Sequence, residues 1–330
     1  MRRILLSTMV AVCLIASIFT ACSHQDSTTA KTSGQANSEK SSELGNANTQ
    51  KKKIILITID SMDQHWVNMD KGCKKAAKEL NNIDYKWIAP DAKDDNKQIE
   101  CVNNAVASGA DAILIAANGP DAITSALKDA DSEGVKLVQV DSFANYSCVQ
   151  KIGTNNVKAG EIAGKHVLEA LKAKGIKKGN IGIVSVNASC TSTVDRDNGF
   201  RSAFKGTEFK ILPTQFGEGE AAKSKDLAAN FISQGVVALF GANEGSAVGV
   251  GNANKENGNS VIAAGMDKSN TVINLVKSGS LLLTMEQDPE KMGYLGIQAA
   301  VKSLKGEKVT PAYIDTGVTV LDKVAANKLS

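Results

Sequence analysis

The sequence predicts an α/β protein made of two doubly wound, parallel-sheet lobes in tandem. Three observations carry this expectation: short apolar runs alternate with helical patterns, the runs end on polar tips, and the rhythm restarts midway along the chain. The 330 residues are 42% hydrophobic and 22% charged, with a net charge of +3. A chain of this length buries a sizeable core and usually divides into two domains. The lysines are scattered and the only arginines are Arg2, Arg3, Arg196 and Arg201. No basic patch with interleaved aromatics therefore points to nucleic acid.

The rest is organised around Ile54 to Leu80. Ile54, Ile55, Leu56, Ile57 and Ile59 form a near-continuous apolar run, as in a strand buried on both faces of a parallel sheet. From Trp66 onward, Met69, Cys73, Ala76, Ala77 and Leu80 share one helical face. Between them lies the polar tip Asp60 to His65. Ligands of open α/β sheets bind beyond the carboxyl ends of the strands, which places this tip at the binding edge.

The order continues with a strand at 85–89 stopped by Pro90, a helix at 98–107 and a buried strand at 112–116. The tip Asn118-Gly119-Pro120-Asp121 follows, then a helix at 122–130 and a strand at 135–140 that ends on Asp141. After Gly153 the rhythm restarts with a helix at 159–174 and a strand at 181–186. A loop at 187–195 leads into a helix bearing Arg196. Strands at 210–216, 236–242, 261–266 and 281–285 come next, followed by a helix at 289–304 and a short extended tail.

The amino terminus reads differently. Met1-Arg2-Arg3 is followed by an apolar run to Thr20 and by Phe19-Thr20-Ala21-Cys22. Residues 1–21 have the order of a secretory signal, and the closing residues resemble a bacterial lipobox, which implies lipidation of Cys22. A plain membrane anchor or simple secretion is the alternative. Residues 22–52 are polar, with almost no large apolar side chain, and are expected to be a disordered tether. Either way the body is expected outside the cytoplasm, lipid-anchored on the outer face of the cell membrane or periplasmic.

Six places in order carry a resemblance: Asp63-Gln64-His65-Trp66, Asp141-Ser142, Arg196-x-x-Gly199-Phe200, Gly241-Ala242-Asn243-Glu244, Gly265-Met266-Asp267, and Gln287 followed by an Asp-Pro helix and Lys305-Gly306-Glu307. The body resembles the type I periplasmic binding proteins, above all the ribose- and galactose-type sugar receptors of ABC importers. That resemblance implies two lobes joined by a three-crossing hinge, with crossings near Gly153, Gln287 and Pro311. The lobes would then be 53–153 plus 288–311 and 154–287 plus 312–330. It further implies a sugar closed between the lobes, delivery to a permease with ATPase subunits, no cofactor, and action as a monomer. The alternative output is a receptor for a sugar or furanosyl autoinducer that signals to a membrane kinase or chemoreceptor.

The resemblance also gives the site residues: Asp63, His65, Trp66, Asp141, Arg196, Asn243, Asp267 and Gln287. Trp66 would be the apolar platform for a sugar face, or else a core anchor of its helix. Asp141 and Asp267 would hold hydroxyls, or cap the helices that follow them. Arg196 would reach into the cleft, or pair on the surface with Asp195 or Asp197. His65 would contact ligand, or be a packed loop residue. Asn118, Asp121 and Asn155 belong to the expected rim. Ser142 stands where ribose receptors carry Arg, so ribose is not carried across, and the set suits a neutral polyhydroxyl compound. A phosphate or amino acid would call for more fixed cations.

Catalysis is not expected. Asp60, Asp63 and His65 crowd one loop, but no second histidine or cysteine pair completes a metal site, and no nucleophile elbow or phosphate loop occurs. Cys73 and Cys101 belong to helices expected on opposite faces of one sheet, and Cys73, Cys101, Cys148 and Cys190 are expected to be free thiols.

Overall fold

The computed structural model describes Gln50–Leu329. The leader, Cys22 and nearly all of the tether lie outside the described residues. Among those described, no helix is long and apolar enough to cross a membrane.

The first sheet is wholly parallel, in the order β12-β5-β4-β3-β1-β2. Its strands are β1 (Lys52–Ile57), β2 (Ile83–Ile88), β3 (Ala112–Ile115), β4 (Lys136–Val140), β5 (Gln150–Gly153) and β12 (Tyr313–Asp315). Helices α1 (Gln64–Leu80), α2 (Asp95–Ala107), α3 (Thr124–Ser132) and α9 (Pro289–Leu304) cover it. Alternate residues of β1 go to opposite cores: Ile54 and Leu56 to one face, Ile55 and Ile57 to the other. This two-sided burial is why the strand reads as an unbroken apolar run. Cys73 packs on the first face and Cys101 against the second, and the four cysteines of the body are free thiols.

The second sheet runs β13-β11-β10-β9-β6-β7, with β8 beside β6. Its strands are β6 (Lys178–Ser185), β7 (Glu208–Ile211), β8 (Gln215–Phe216), β9 (Ala238–Gly241), β10 (Ile262–Met266), β11 (Leu283–Glu286) and β13 (Thr319–Asp322). Only β13 is antiparallel. Helices α4 (Asn156–Ala173), α5 (Thr191–Ser202), α6 (Ala221–Ser233), α7 (Glu244–Glu256), α8 (Asn270–Ser278) and α10 (Lys323–Ala326) pack around it.

Four differences from the sequence reading stand out. The expected strand at 210–216 breaks into β7 and β8 around Pro213, which has no N–H to give a ladder. The expected loop at 187–195 is shorter, because α5 already begins at Thr191. Strand β5 was not expected at all, since its four residues, Gln-Lys-Ile-Gly, carry a single large apolar side chain. Finally, the tail does not leave the first lobe at Pro311. Tyr313, Ile314 and Asp315 pair with Lys151, Ile152 and Gly153 at the edge of the first sheet, so the third crossing falls at 316–318, between β12 and β13. The edge strand β5 has unpaired backbone groups to fill, and the returning chain fills them before it crosses.

Candidate functional site

The carboxyl ends of both sheets face each other across a cleft. On the first-lobe side the loop after β1 is shaped by its own polar groups. Thr58 Oγ1 donates to the Asp60 carbonyl at 2.7 Å, and Asp60 Oδ1 accepts from the backbone N–H of Met62 at 2.7 Å and of Asp63 at 3.3 Å. Asp63 occupies the N-cap position of α1 yet makes no side-chain cap bond. Its carboxylate turns to the cleft instead, where Asn243 Nδ2 donates to it at 3.4 Å.

His65 lies in the first turn of α1 and is buried. Its Nε2 is 3.0 Å from Asp141 Oδ1, and its Nδ1 faces Asp267 Oδ1 at 3.4 Å. Its backbone N–H donates to Glu244 Oε2 at 3.1 Å. Asp141 follows β4 in the first lobe and Asp267 follows β10 in the second. Both take a left-handed backbone, with φ of 58° and 69°, a conformation that Asp tolerates better than most non-glycine residues. Neither caps a helix: α4 is capped by Asn155 and α8 by Ser269. Both carboxylates are thereby left for the cleft.

Arg196 is 2% exposed, so it is no surface partner of its neighbours. Its Nε donates to Asn156 Oδ1 at 2.8 Å and its Nη1 to the Ala242 carbonyl at 3.0 Å, whereas Asp197 pairs with Arg201. Asn243 combines two roles: its Oδ1 accepts from the Ser246 N–H and caps α7, while its Nδ2 reaches Asp63. Gln287 Nε2 donates to Asp267 Oδ1 at 2.5 Å. Trp66 belongs to the first-lobe core and meets His65 edge-on, with ring centroids 4.7 Å apart.

All eight residues expected from the sequence line one cavity between the lobes, together with Ile59, Lys93, Val186, Cys190, Ser192 and Thr193. Of the expected rim, Asn118 meets Asn187 across the lobes at 3.3 Å. Asp121 accepts from Asn145, Asn155 caps α4, and neither lines the cavity. Ser142 touches the other lobe at Thr191 Oγ1, 3.1 Å away. Asp60 and His65 do not converge on a common point, because Asp60 turns to Lys93.

Lys93 was not expected. It lies in the polar stretch Asp91 to Asp94 and looks like a solvated loop residue. Its side chain is 4% exposed, with Nζ 2.7 Å from Asp60 Oδ2 and 3.7 Å from Asp63 Oδ2. The signal that could have found it is its place just past the carboxyl end of β2. Lys93→Met leaves Asp60 buried without its cation, and removing one partner of a buried pair costs about 3–5 kcal/mol. The urea midpoint is expected to fall accordingly. An unchanged midpoint would mean that water reaches Asp60 in the folded chain.

The electrostatics follow from burial and from these contacts. Burial alone would lower the His65 imidazole, but Asp141 and then Asp267 outweigh it and hold the ring up to about 10. Burial works to raise Asp267, yet the hydrogen bond and charge of His65, with Arg196 and Gln287, bring it down to about 2. Burial, helped by Asp60, Glu244 and Asp267, lifts Asp63 to about 7 against the pull of Lys93. Burial also raises Glu244, whereas for Lys93 the lowering by burial is overcome by Asp63 and Asp60. The cavity lining thus sets three cations, His65, Lys93 and Arg196, against three carboxylates, Asp63, Asp141 and Asp267.

The chain is similar to several known proteins. It is 29% identical to the ribose import binding protein RbsB of Haemophilus influenzae over 262 residues, which is 77% of this chain and 87% of the relative. It is 28% identical to that of Bacillus subtilis over 309 residues, 91% of this chain and 94% of the relative. Among solved structures, a carbohydrate transporter solute-binding protein from Agrobacterium radiobacter in complex with D-arabinose superposes with a TM-score of 0.79 at 29% identity. That match covers 84% of this chain and 96% of the neighbour. An ABC transporter solute-binding protein from Agrobacterium vitis with bound D-fucose superposes at 0.80 with 28% identity, over 84% and 97%. The profile of the periplasmic binding protein domain matches residues 54–308, and with two sheet-based lobes facing a shared polar cavity the chain belongs to that family.

Proposed function

We propose that the chain is the extracytoplasmic sugar receptor of an ABC importer. It captures one monosaccharide, or a polyol of that size, between its lobes and presents the closed form to the permease and its ATPase subunits. The observation that carries this reading is the cavity. Its empty volume is about 360 Å³, part of it open to solvent, which lies at the small end of ligand pockets and suits one monosaccharide better than an oligosaccharide.

The polar lining favours the same class of ligand. Trp66 Nε1, Arg196 Nη2 and Gln287 Oε1 are buried and have no hydrogen-bond partner among the described residues. Two are donors and one is an acceptor, and leaving such a group unpaired costs about 1–3 kcal/mol. A hydroxyl both donates and accepts, so a ring of hydroxyls can satisfy all three. The lining mixes cations and carboxylates, and its cations are already engaged by buried acids or amides, which leaves little fixed charge of one sign for an ionic ligand. Ile59, Val186 and the Trp66 ring supply apolar surface for the C–H face of a sugar. Closure follows because these partners are complete only when both lobes surround the ligand, and only such differential contacts shift an open–closed equilibrium.

The leader and tether complete the proposal. Cleavage before Cys22 and lipidation of its thiol would hold the body at the outer face of the cell membrane as a monomer on a polar leash. The test is a thermal-shift screen of residues 23–330 against pentoses, hexoses, inositols, nucleosides and amino acids. One monosaccharide is expected to raise the melting temperature by several degrees. A shift with an amino acid or nucleoside alone would overturn the sugar assignment.

A further inference from the structure

We propose that His65 is the positioning residue of the cleft: as an imidazolium it holds one carboxylate from each lobe, Asp141 and Asp267, so that closure on a neutral ligand takes up a proton. The reading of the ligand as a sugar is assumed from the preceding section, but the proton uptake does not depend on it.

The geometry carries the argument. Each ring nitrogen of His65 faces a carboxylate oxygen, Asp141 Oδ1 at 3.0 Å and Asp267 Oδ1 at 3.4 Å. A neutral imidazole has one N–H and one lone pair, so in this position it would turn the lone pair against one of the two carboxylates. Only the doubly protonated ring has a donor for both. The three side chains are buried together, at 6%, 5% and 5% exposure. The two acceptors are also fixed independently of the ring, each at the end of a strand in a left-handed backbone.

Of the other groups around the ring, only Gln287 donates to either carboxylate, and it leaves Asp141 to His65 alone. From α1 itself come Asp63 at the N-cap and the edge of Trp66. Glu244 of α7 is engaged by the backbone N–H of His65. Arg196 of α5 is tied to Asn156 and Ala242, Gln287 after β11 donates to Asp267, and Lys93 after β2 stands beside Asp60. When the lobes part, Asp267 leaves with the second lobe and the ring loses half of its reason to stay charged.

The sign of the pH dependence follows. The closed ring lies at about 10, and a free ring titrates near 6.5. In the open form Asp141 stays beside the ring and holds it between these two values, so the contribution of His65 to closure is complete below that open-form value and is lost as pH rises toward 10. Asp63, raised to about 7, and Glu244, also raised, take up protons on closure too. Measurement above pH 7.5 sets Asp63 apart, and a His65 variant separates the ring from Glu244.

The decisive experiment titrates the best-bound monosaccharide into the chain at pH 7.5 and pH 9.5, with wild type and His65→Gln side by side. Wild-type affinity is expected to fall about tenfold across this interval, and the variant is expected to change by no more than about twofold. Calorimetry at pH 9 in two buffers of different ionisation enthalpy needs no variant and is expected to find roughly half a proton or more taken up per sugar bound. A flat wild-type profile, an equal slope in the variant, or no proton uptake would each overturn the proposal. A purely structural role would instead weaken the variant equally at both pH values.

If no sugar binds at either pH, the capture reading fails and the ring is examined without ligand. Ser142→Cys places a thiol opposite Cys190 of the other lobe, since Ser142 Oγ is 3.5 Å from Cys190 Sγ, and oxidation locks the closed form. Nitrogen-15 spectra of that form at pH 8 are expected to show His65 doubly protonated. A singly protonated ring would refute the assignment.

Discussion

Asp267→Ala is expected to weaken monosaccharide binding about 100-fold or more while leaving the unliganded melting temperature within a few degrees of wild type. The carboxylate accepts from Gln287 Nε2 and faces His65 Nδ1, and the charge of Arg196 also bears on it. Without it, closure buries two cations next to a vacated acceptor. Truncating one partner of a buried, hydrogen-bonded charge pair costs about 2–5 kcal/mol, and each 1.4 kcal/mol is about tenfold in affinity. The fold should persist, because Asp267 follows the last residue of β10 and its side chain belongs to the cleft, not to either apolar core. Asp267→Asn is the milder companion: Asn keeps an acceptor for Gln287 and tolerates the left-handed backbone, but offers no charge to His65. Asp141→Ala should act in the same direction from the other lobe. Calorimetric titration together with urea unfolding checks all three, and normal binding by both alanine variants would remove this cavity as the ligand site.

A large stability effect is expected from Gly199→Val. Helices α4 and α5 cross so closely that a Cβ on Gly199 would stand 2.0 Å from the Val157 carbonyl oxygen, and one on Gly160 would stand 2.0 Å from that of Arg196. Both obstacles are backbone, which cannot rotate aside, so the helices would have to separate. Overpacking that forces backbone shifts costs about 1–3 kcal/mol, occasionally more, and a branched side chain against a carbonyl belongs at the upper end. A second effect comes with it, because Arg196 rides on α5 and its guanidinium would leave Asn156 and Ala242. Loss of ligand affinity should therefore accompany a lower urea midpoint. The first lobe repeats the device: a Cβ on Gly72 of α1 would stand 1.9 Å from the Glu290 carbonyl oxygen of α9, and one on Gly293 would stand 2.2 Å from that of Met69. A Gly199→Val chain that melts like wild type would show that these helices can part at little cost.

The central strands β1, β3, β9 and β10 were legible because burial on two faces leaves an unbroken apolar run. Asp141, Asn243, Asp267 and Gln287 could be placed at the cavity because they fall just past the ends of such runs and because the family resemblance marks them. Helix α5 was harder to see. Thr191-Ser-Thr-Val-Asp-Arg-Asp-Asn198 is poor in helix formers, and the segment is helical because Gly199 and Phe200 let it lie against α4. Lys93 was illegible for a related reason, since nothing local in Asp91 to Asp94 marks a lysine that tertiary structure will bury beside Asp60. His65 was weighed as a lone histidine on one loop. What distinguishes it is the arrival of Asp141 and Asp267 from two different sheets, and no spacing along the chain encodes that meeting. The position of the third crossing is likewise a property of an open sheet edge on β5, which the tail's own sequence does not announce.

The pairing of β12 with β5 has a further meaning for the order in which the molecule can be completed. The lobe that the chain begins first is also among the last to be finished. Its helix α9 and edge strand β12 follow β6 to β11 of the other lobe in the sequence. A nascent or newly exported chain holding only residues 50–153 thus lacks the helix against which α1 packs and the strand that closes its sheet. Contacts such as those of α9 on α1 and of β12 on β5 must wait for a segment more than a hundred residues away, and such non-local closure slows folding. Neither lobe can mature as an independent amino-terminal unit, so the two are expected to acquire their native packing together, near the end of chain delivery.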